Sequence, residues 1–332
     1  MKKALLFLSA FAAVILLSAA FAGCGDNKKD DVWIKKEGLI SIGFSQVGAE
    51  SDWRLANTKS MRETFSEDKY NFKIKDAQQK PKNQFAAVRW FIAQKADYIV
   101  IAPTVETGWD EVLGEAQAAG IPVIIVDRMI KVKDDSLYTC WVGSDFLQEG
   151  KTAVEWMETK FAGKTDLKIV HLQGSMGSSA QIGRTDGLEE GAAKNGWTIV
   201  HQKTGEFTEV KGKEIMEQYL ASNPAFDVLY CENDNMAFGA ITAMKAKGSP
   251  YTYGRNGAIA VISFDATNAG LKATLAGDIN YNVECNPLHG PRVEEIIKQL
   301  MEGKTPDKKQ FVKEAAFDTD DITQEDINAR AY

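Results

Sequence analysis

Histidine, proline and cysteine are scarce: 332 residues hold three His, eight Pro and four Cys. His171, His201 and His289 stand far apart and share no metal-ligand spacing with a Cys, so neither a metal centre nor a cofactor is expected. Besides Cys24, the thiols Cys140, Cys231 and Cys285 each sit in a strand-like run (LYTCWV, VLYCE, YNVEC), which reads as buried free cysteine. No G-x-S-x-G elbow, P-loop or G-x-G-x-x-G is present, and no nucleophile stands beside a base. An enzyme is therefore not expected.

Positive charge is also short, with 39 Lys and Arg against 46 Asp and Glu. That balance disfavours nucleic acid, whose phosphates need basic patches. After the N-terminal leader, no stretch approaches the roughly 20 apolar residues of a membrane span.

What is present begins with MKKALLFLSAFAAVILLSAAFAGC, where two lysines precede an apolar run and small residues precede Cys24. This is the layout of a secretory signal over residues 1–24, and it places the mature chain outside the cytoplasm. Ala22, Gly23 and Cys24 resemble the lipobox at which bacterial lipoproteins are cleaved and acylated, although Phe21 stands where Leu is usual. Cys24 is the expected lipid anchor, and GDNKKDD opens a polar tether over residues 25–37. Any membrane contact would run through that anchor only.

From Gly38 onward, short apolar runs alternate with helix-period segments, the pattern of βαβ units and a parallel sheet. LISIGF, NFKIKD, YIVIAP, PVIIVD and SLYTCWVG form one series; LKIVHLQG, WTIVHQ, DVLYC, AVISFD and INYNVE form a second. Two series imply two lobes. Asp234 and Thr267 stand where helix N-caps belong; Thr267 reads as a cap alone, whereas Asp234 is also a candidate ligand group.

Polar side chains follow the apolar cores of these strands, and open α/β sheets bind ligands outside their carboxyl ends. FSQVGAESDWR supplies Gln46, Trp53 and Arg54, a flat aromatic beside donors and acceptors that suits the face and hydroxyl edge of a sugar. Asp76, with Gln78 and Gln79, follows NFKIK, while Asp127 and Arg128 end PVIIV. A carboxylate accepts from two hydroxyls and a guanidinium fork donates to oxygens with fixed geometry. The second series offers Gln173, Arg184, Phe207, Asn233, Asp265 and Glu284.

GFSQVGAES with WR, DAQQK, AVRWFIAQKADYIVIAP, TGW, VDR, VKDDSLY, LQG, NDNMAFGAI and VECNP stand in order over residues 40 to 300. In that order they resemble the type I periplasmic sugar-binding proteins, the extracytoplasmic receptors of ABC importers, and within them the galactofuranose-binding branch. The resemblance implies an α/β fold of two Rossmann-like lobes with parallel sheets joined by a three-strand hinge. It divides the chain into 38–142 plus 286–308 for the first lobe and 143–285 plus 309–332 for the second. It implies a monomer that closes on one monosaccharide, galactofuranose first and galactose or a related aldose next, and then meets an ABC permease. A sugar sensor docking on a chemoreceptor or histidine-kinase ectodomain is the alternative. Gln46, Trp53, Arg54, Asp76, Asp127 and Arg128 would line one wall, and Arg184, Phe207, Asn233, Asp265 and Glu284 the other. Glu284 stands where ribose-binding members carry an amide, which favours a hexose over ribose.

Overall fold

Short Val/Ile-rich runs that are buried on both faces make the centre of each sheet, as parallel packing between helix layers requires. In the computed structural model, which describes residues 32–222 and 224–332, the elements run β1 (Ile40–Gln46), α1 (Asp52–Thr64), β2 (Tyr70–Asp76), α2 (Pro81–Ala93), β3 (Tyr98–Ile101), α3 (Asp110–Ala118), β4 (Val123–Val126) and β5 (Cys140–Gly143). They continue with α4 (Phe146–Lys160), β6 (Lys168–Gln173), α5 (Ser179–Asn195), β7 (Thr198–Thr204), α6 (Glu209–Leu220), β8 (Val228–Cys231), α7 (Asp234–Lys247) and β9 (Ala260–Asp265). The last are α8 (Asn268–Ala276), β10 (Tyr281–Glu284), α9 (His289–Met301), β11 (Lys309–Phe311), β12 (Ala316–Asp318) and α10 (Gln324–Asn328). Cys24, the leader and the first tether residues lie outside the described residues. Among the described residues, no helix is long and apolar enough to cross a membrane.

Two sheets result, ordered β11-β5-β4-β3-β1-β2 and β12-β10-β9-β8-β6-β7. Every pairing is parallel except β10 with β12. Central β4 and β8 are buried at every position, whereas edge strand β7 alternates exposed and half-buried residues. Ile42, Phe44, Val100, Ile124 and Val293 form the core of the first lobe; Ile169, Leu229, Val261 and Phe264 are among those buried in the second.

The chain passes between the lobes at Ser144–Asp145, at Cys285–Leu288 and at Val312–Ala315. The third passage falls later than the expected Lys309. Lys309–Phe311 pair with Trp141–Gly143 as an edge strand of the first sheet, with the Phe311 ring edge-on to Trp141 at 5.2 Å. A three-residue edge strand reading KQF has too little apolar period to be seen in sequence.

Thr267 caps α8 by accepting from Gly270 N. The cap of α7 is Asn233, which accepts from Met236 N, while Asp234 is a buried acceptor for Ser263, Thr267 and Asn282. These bonds bind β9, β10 and α8 together beneath the cleft.

Candidate ligand-binding site

The carboxyl ends of the two sheets face one another across a cleft holding about 280 Å³ of space between atoms, part of it open to solvent. From the first lobe come Glu50 and Ser51 of the β1–α1 turn, Trp53 and Arg54 of the first turn of α1, and Asp127 and Arg128 after β4. From the second come Phe146, Ala180, Arg184, Phe207, Asn233 and Asp265, and Cys285 of the second crossover closes one side. Three of these polar or aromatic groups sit on left-handed backbone: Asp127 at φ 63°, Phe207 at 63° and Asp265 at 95°. Such conformations are uncommon outside glycine and concentrate where a side chain must be aimed.

Arg54 is buried and well partnered. Its Nη2 donates to Asp127 Oδ2 at 2.8 Å, its Nε to Glu50 Oε1 at 3.1 Å and its Nη1 to Gln46 Oε1 at 3.3 Å. Burial alone would lower its pKa, but Asp127 and Glu50 outweigh that and leave it raised. Arg128, next in sequence to Asp127, is the opposite case. Its Nη1 is buried without a hydrogen-bond partner, and its nearest carboxylate oxygens are 3.7 Å (Glu50) and 3.9 Å (Asp127) away. Burial, and then the charge of Arg54, lower its pKa. Leaving a buried charged donor without a hydrogen bond is expensive.

On the facing wall, Arg184 donates to Glu149 Oε2 at 2.7 Å, to the Glu232 carbonyl, and to Asp265 Oδ1 at 3.4 Å. Burial pushes Asp265 up to about 7; Arg184 opposes the shift and Asp234 and Asp127 reinforce it. Asn233 Nδ2 donates to the Phe207 carbonyl at 3.1 Å and holds that ring in the wall. Trp53 Nε1 donates to the Cys285 carbonyl at 2.5 Å, so its ring edge is tied to the crossover while Arg54 lies 4.6 Å from a ring centroid.

Gln46, Asp76 and Glu284 do not line the cavity. The Gln46 amide is spent behind the wall on Arg54, Asn57, Thr58 and Val47 N. Asp76 is exposed at the end of β2, an edge strand, and accepts from Gln78 N. Glu284 turns toward the hinge, where Arg330, Tyr332, Asn286 and Ala315 N occupy both of its oxygens. The inference from Glu284 against ribose therefore loses its basis. Gln173 likewise points to Thr185. Glu50 and Phe146 were not anticipated: Glu50 lies in the GAES loop between the expected Gln46 and Trp53, whereas Phe146 reaches the wall only because the chain changes lobes at Ser144.

The lobes touch directly around the cavity. Met129 N donates to Ser179 Oγ at 2.8 Å, Glu106 N to the Gly177 carbonyl at 3.0 Å, and Asp52 N to Asn235 Oδ1 at 3.0 Å. This is a closed setting in which a ligand would be surrounded by both walls. Three arginines and three carboxylates line the space, a near balance that suits a neutral, hydroxyl-rich molecule. Its one thiol, Cys285, is pushed well up by burial and stays protonated, so the wall holds no activated nucleophile.

Residues 42–302 match the model of the periplasmic binding protein domain. The chain belongs to that family. Its members bind rather than transform their ligands, and this periplasmic binding protein is accordingly no enzyme and works outside the cytoplasm. It is 39% identical over 292 residues to the galactofuranose-binding protein YtfQ of Escherichia coli K12, covering 86% of this chain and 90% of that one. A solved Mycobacterium smegmatis protein in complex with β-D-fucofuranose is 39% identical at a TM-score of 0.81, over 88% of this chain and 93% of that one. The periplasmic binding component of the arabinose ABC transporter from Shewanella sp. ANA-3, bound to α- and β-L-arabinofuranose, is also 39% identical at 0.81, over 87% and 95%.

Proposed function

We propose that this periplasmic binding protein captures one monosaccharide in its furanose form, galactofuranose first and galactose or a related aldose next, and hands it to an ABC permease. The observation that carries the reading is the buried, unpartnered Nη1 of Arg128 in a cavity whose other charges are nearly balanced. A ring or hydroxyl oxygen would satisfy it without adding charge, and the aromatic faces of Trp53 and Phe207 would cover the apolar face of the ring. The five-membered ring is supported by the furanose ligands named for the three similar proteins. The Shewanella relative is a transporter component, which favours import over sensing.

Closure follows from the divided site: a ligand that touches both walls only in the closed setting draws the population there. The chain works as a monomer, exported by its signal and tethered through acylated Cys24. Intact mass of the mature protein checks the anchor, since an N-terminal Gly23 or an unmodified Cys24 would refute it.

The test is calorimetric titration with D-galactose, L-arabinose and D-ribose at their natural mixtures of ring forms, followed by crystals of the complex. Density for a five-membered ring between Trp53 and Phe207 supports the proposal. A six-membered ring there refutes the ring form, and no heat with any sugar refutes sugar capture.

A further inference from the structure

Where three strands of chain run between two lobes, the angle between the lobes depends on what ties those strands to each other. The backbone ladder stops on either side of the third passage. Val312 N bonds the Gly143 carbonyl at the first-lobe end, and Glu284 N bonds the Ala315 carbonyl at the second-lobe end. Glu314 lies between them. Its Oε1 accepts from Ser144 Oγ at 2.6 Å, on the first passage, and from Asn286 N at 2.6 Å, on the second. One carboxylate oxygen on the third passage therefore joins all three.

We propose that Glu314 is a positioning residue for ligand capture: it pins the hinge in the closed setting, and loss of its two hydrogen bonds lets the lobes part without altering the cavity wall. This rests on the reading of the chain as a sugar receptor. Oε1 carries two lone pairs and accepts both bonds whether the carboxyl is ionised or neutral, as an amide oxygen at the same place would. The setting is enclosed. Glu149 and Cys285 bring ligand-type atoms within 4.8 Å of Glu314, and Glu149 is itself bound to Arg184. Glu284, Arg184 and Arg292 are further charged neighbours. Burial raises Glu314 to about 7, opposed by the bonds from Ser144 and Asn286 and reinforced by Glu284.

The apparent Kd of a two-state receptor is its intrinsic Kd divided by the fraction in the competent state. A hinge that loses its pin lowers that fraction and weakens capture with every cavity contact intact. Glu314→Ala should weaken the Kd for the sugar that wild type binds about tenfold, enlarge the sugar-free radius of gyration by small-angle scattering, and return to the wild-type radius at saturating sugar. Glu314→Gln keeps the Oε1 acceptor and should stay within about twofold of wild type in Kd. Ser144→Ala removes one of the two donors, is readable should E314A fail to fold, and should fall between them. A variant that only weakened the fold would lower Tm and leave Kd and radius unchanged. If E314A or S144A matches wild type in both Kd and sugar-free radius, the pin is overturned. If wild type takes up no sugar, the sugar reading fails on its own and the sugar-free radii alone decide the pin, an unchanged radius refuting it.

Discussion

Arg128 of the first lobe faces Phe207 of the second, its guanidinium carbon 5.2 Å from the ring centroid. A cation over an aromatic face is worth about 0.5 to 2 kcal/mol, so this contact favours closure even before a ligand arrives. It leaves the edge of the guanidinium free to donate. The same residue thus bridges the two lobes and keeps a buried Nη1 without a hydrogen bond.

Replacing Arg128 with Ala should abolish capture while leaving the sugar-free protein as stable as before or more so. Its buried Nη1 has no hydrogen bond to lose, its carboxylate neighbours stand off at 3.7 and 3.9 Å, and burying a charge so loosely paired costs more than the Phe207 contact returns. Hydrogen bonds to a charged donor are worth about 1.5 to 3 kcal/mol each, so losing both bonds that Nη1 can donate should lower affinity at least about 100-fold. Calorimetry and a thermal melt check the two halves; an R128A protein that melts well below wild type would show that the charge is compensated after all.

Gly174 provides a second, indirect test of the wall. A Cβ there would meet Phe207 Cζ at 1.9 Å, so Gly174→Ala must displace the ring. Overpacking of this kind costs about 1 to 3 kcal/mol, and the displaced ring would intrude on the sugar face. The expected outcome is a lower Tm together with a weaker Kd, both measured on the purified variant. Trimming the ring as well, in G174A with Phe207→Leu, should restore Tm but not affinity.

The alternation of apolar strands with amphipathic helices is set by local periodicity, and the two series of strands appear in the sheets in the expected places. Residues that end a central strand, such as Asp127, Arg128, Asn233 and Asp265, reach the cavity because the strand direction aims them there. The misplaced ones have other physical causes. Asp76 ends edge strand β2, too far out to reach the middle, and Glu284 ends β10, where the chain turns into the hinge and Arg330 and Tyr332 supply partners from residues 46 and 48 positions later. Partners that distant leave no trace in a local pattern. The same holds for Glu314, whose neighbours on the first and second passages lie 170 and 28 residues away.

Glu314 also predicts a pH dependence. Its native pKa of about 7 lies above its ordinary value of 4.5, so the folded protein holds this proton more tightly than the unfolded chain. The resulting contribution is fully present below pH 4.5 and is lost as pH rises through 7. His289, lowered to about 4 by burial, works in the other direction as pH falls below its ordinary 6.5, and Asp265, itself raised to about 7, works in the same direction as Glu314, so the raw profile of wild type mixes at least these three. The difference between wild type and Glu314→Gln isolates the carboxyl. Between pH 5 and pH 8 wild type should lose at least about 2 °C of Tm relative to E314Q, and parallel profiles would mean that Glu314 does not titrate in this range.

Asp127 should behave in the opposite way to its sequence neighbour Arg128. Its Oδ2 is the 2.8 Å partner of Arg54 Nη2, and both side chains are buried. Removing one partner of a buried ion pair costs about 3 to 5 kcal/mol, because the other charge remains without compensation; here Glu50 still holds Arg54 Nε, so the lower end is expected. Asp127→Ala should therefore lower the Tm of the sugar-free protein clearly, whereas Arg128→Ala should not. Asp127→Asn keeps the shape and tolerates the φ of 63° better than Ala does, so it should recover part of the stability. It should not recover the affinity, since an amide offers one acceptor where the carboxylate offers two. Melting and titrating the three variants side by side separates the pair that holds the wall together from the group that grips the ligand. If D127A and R128A shift Tm alike, that division of labour is wrong.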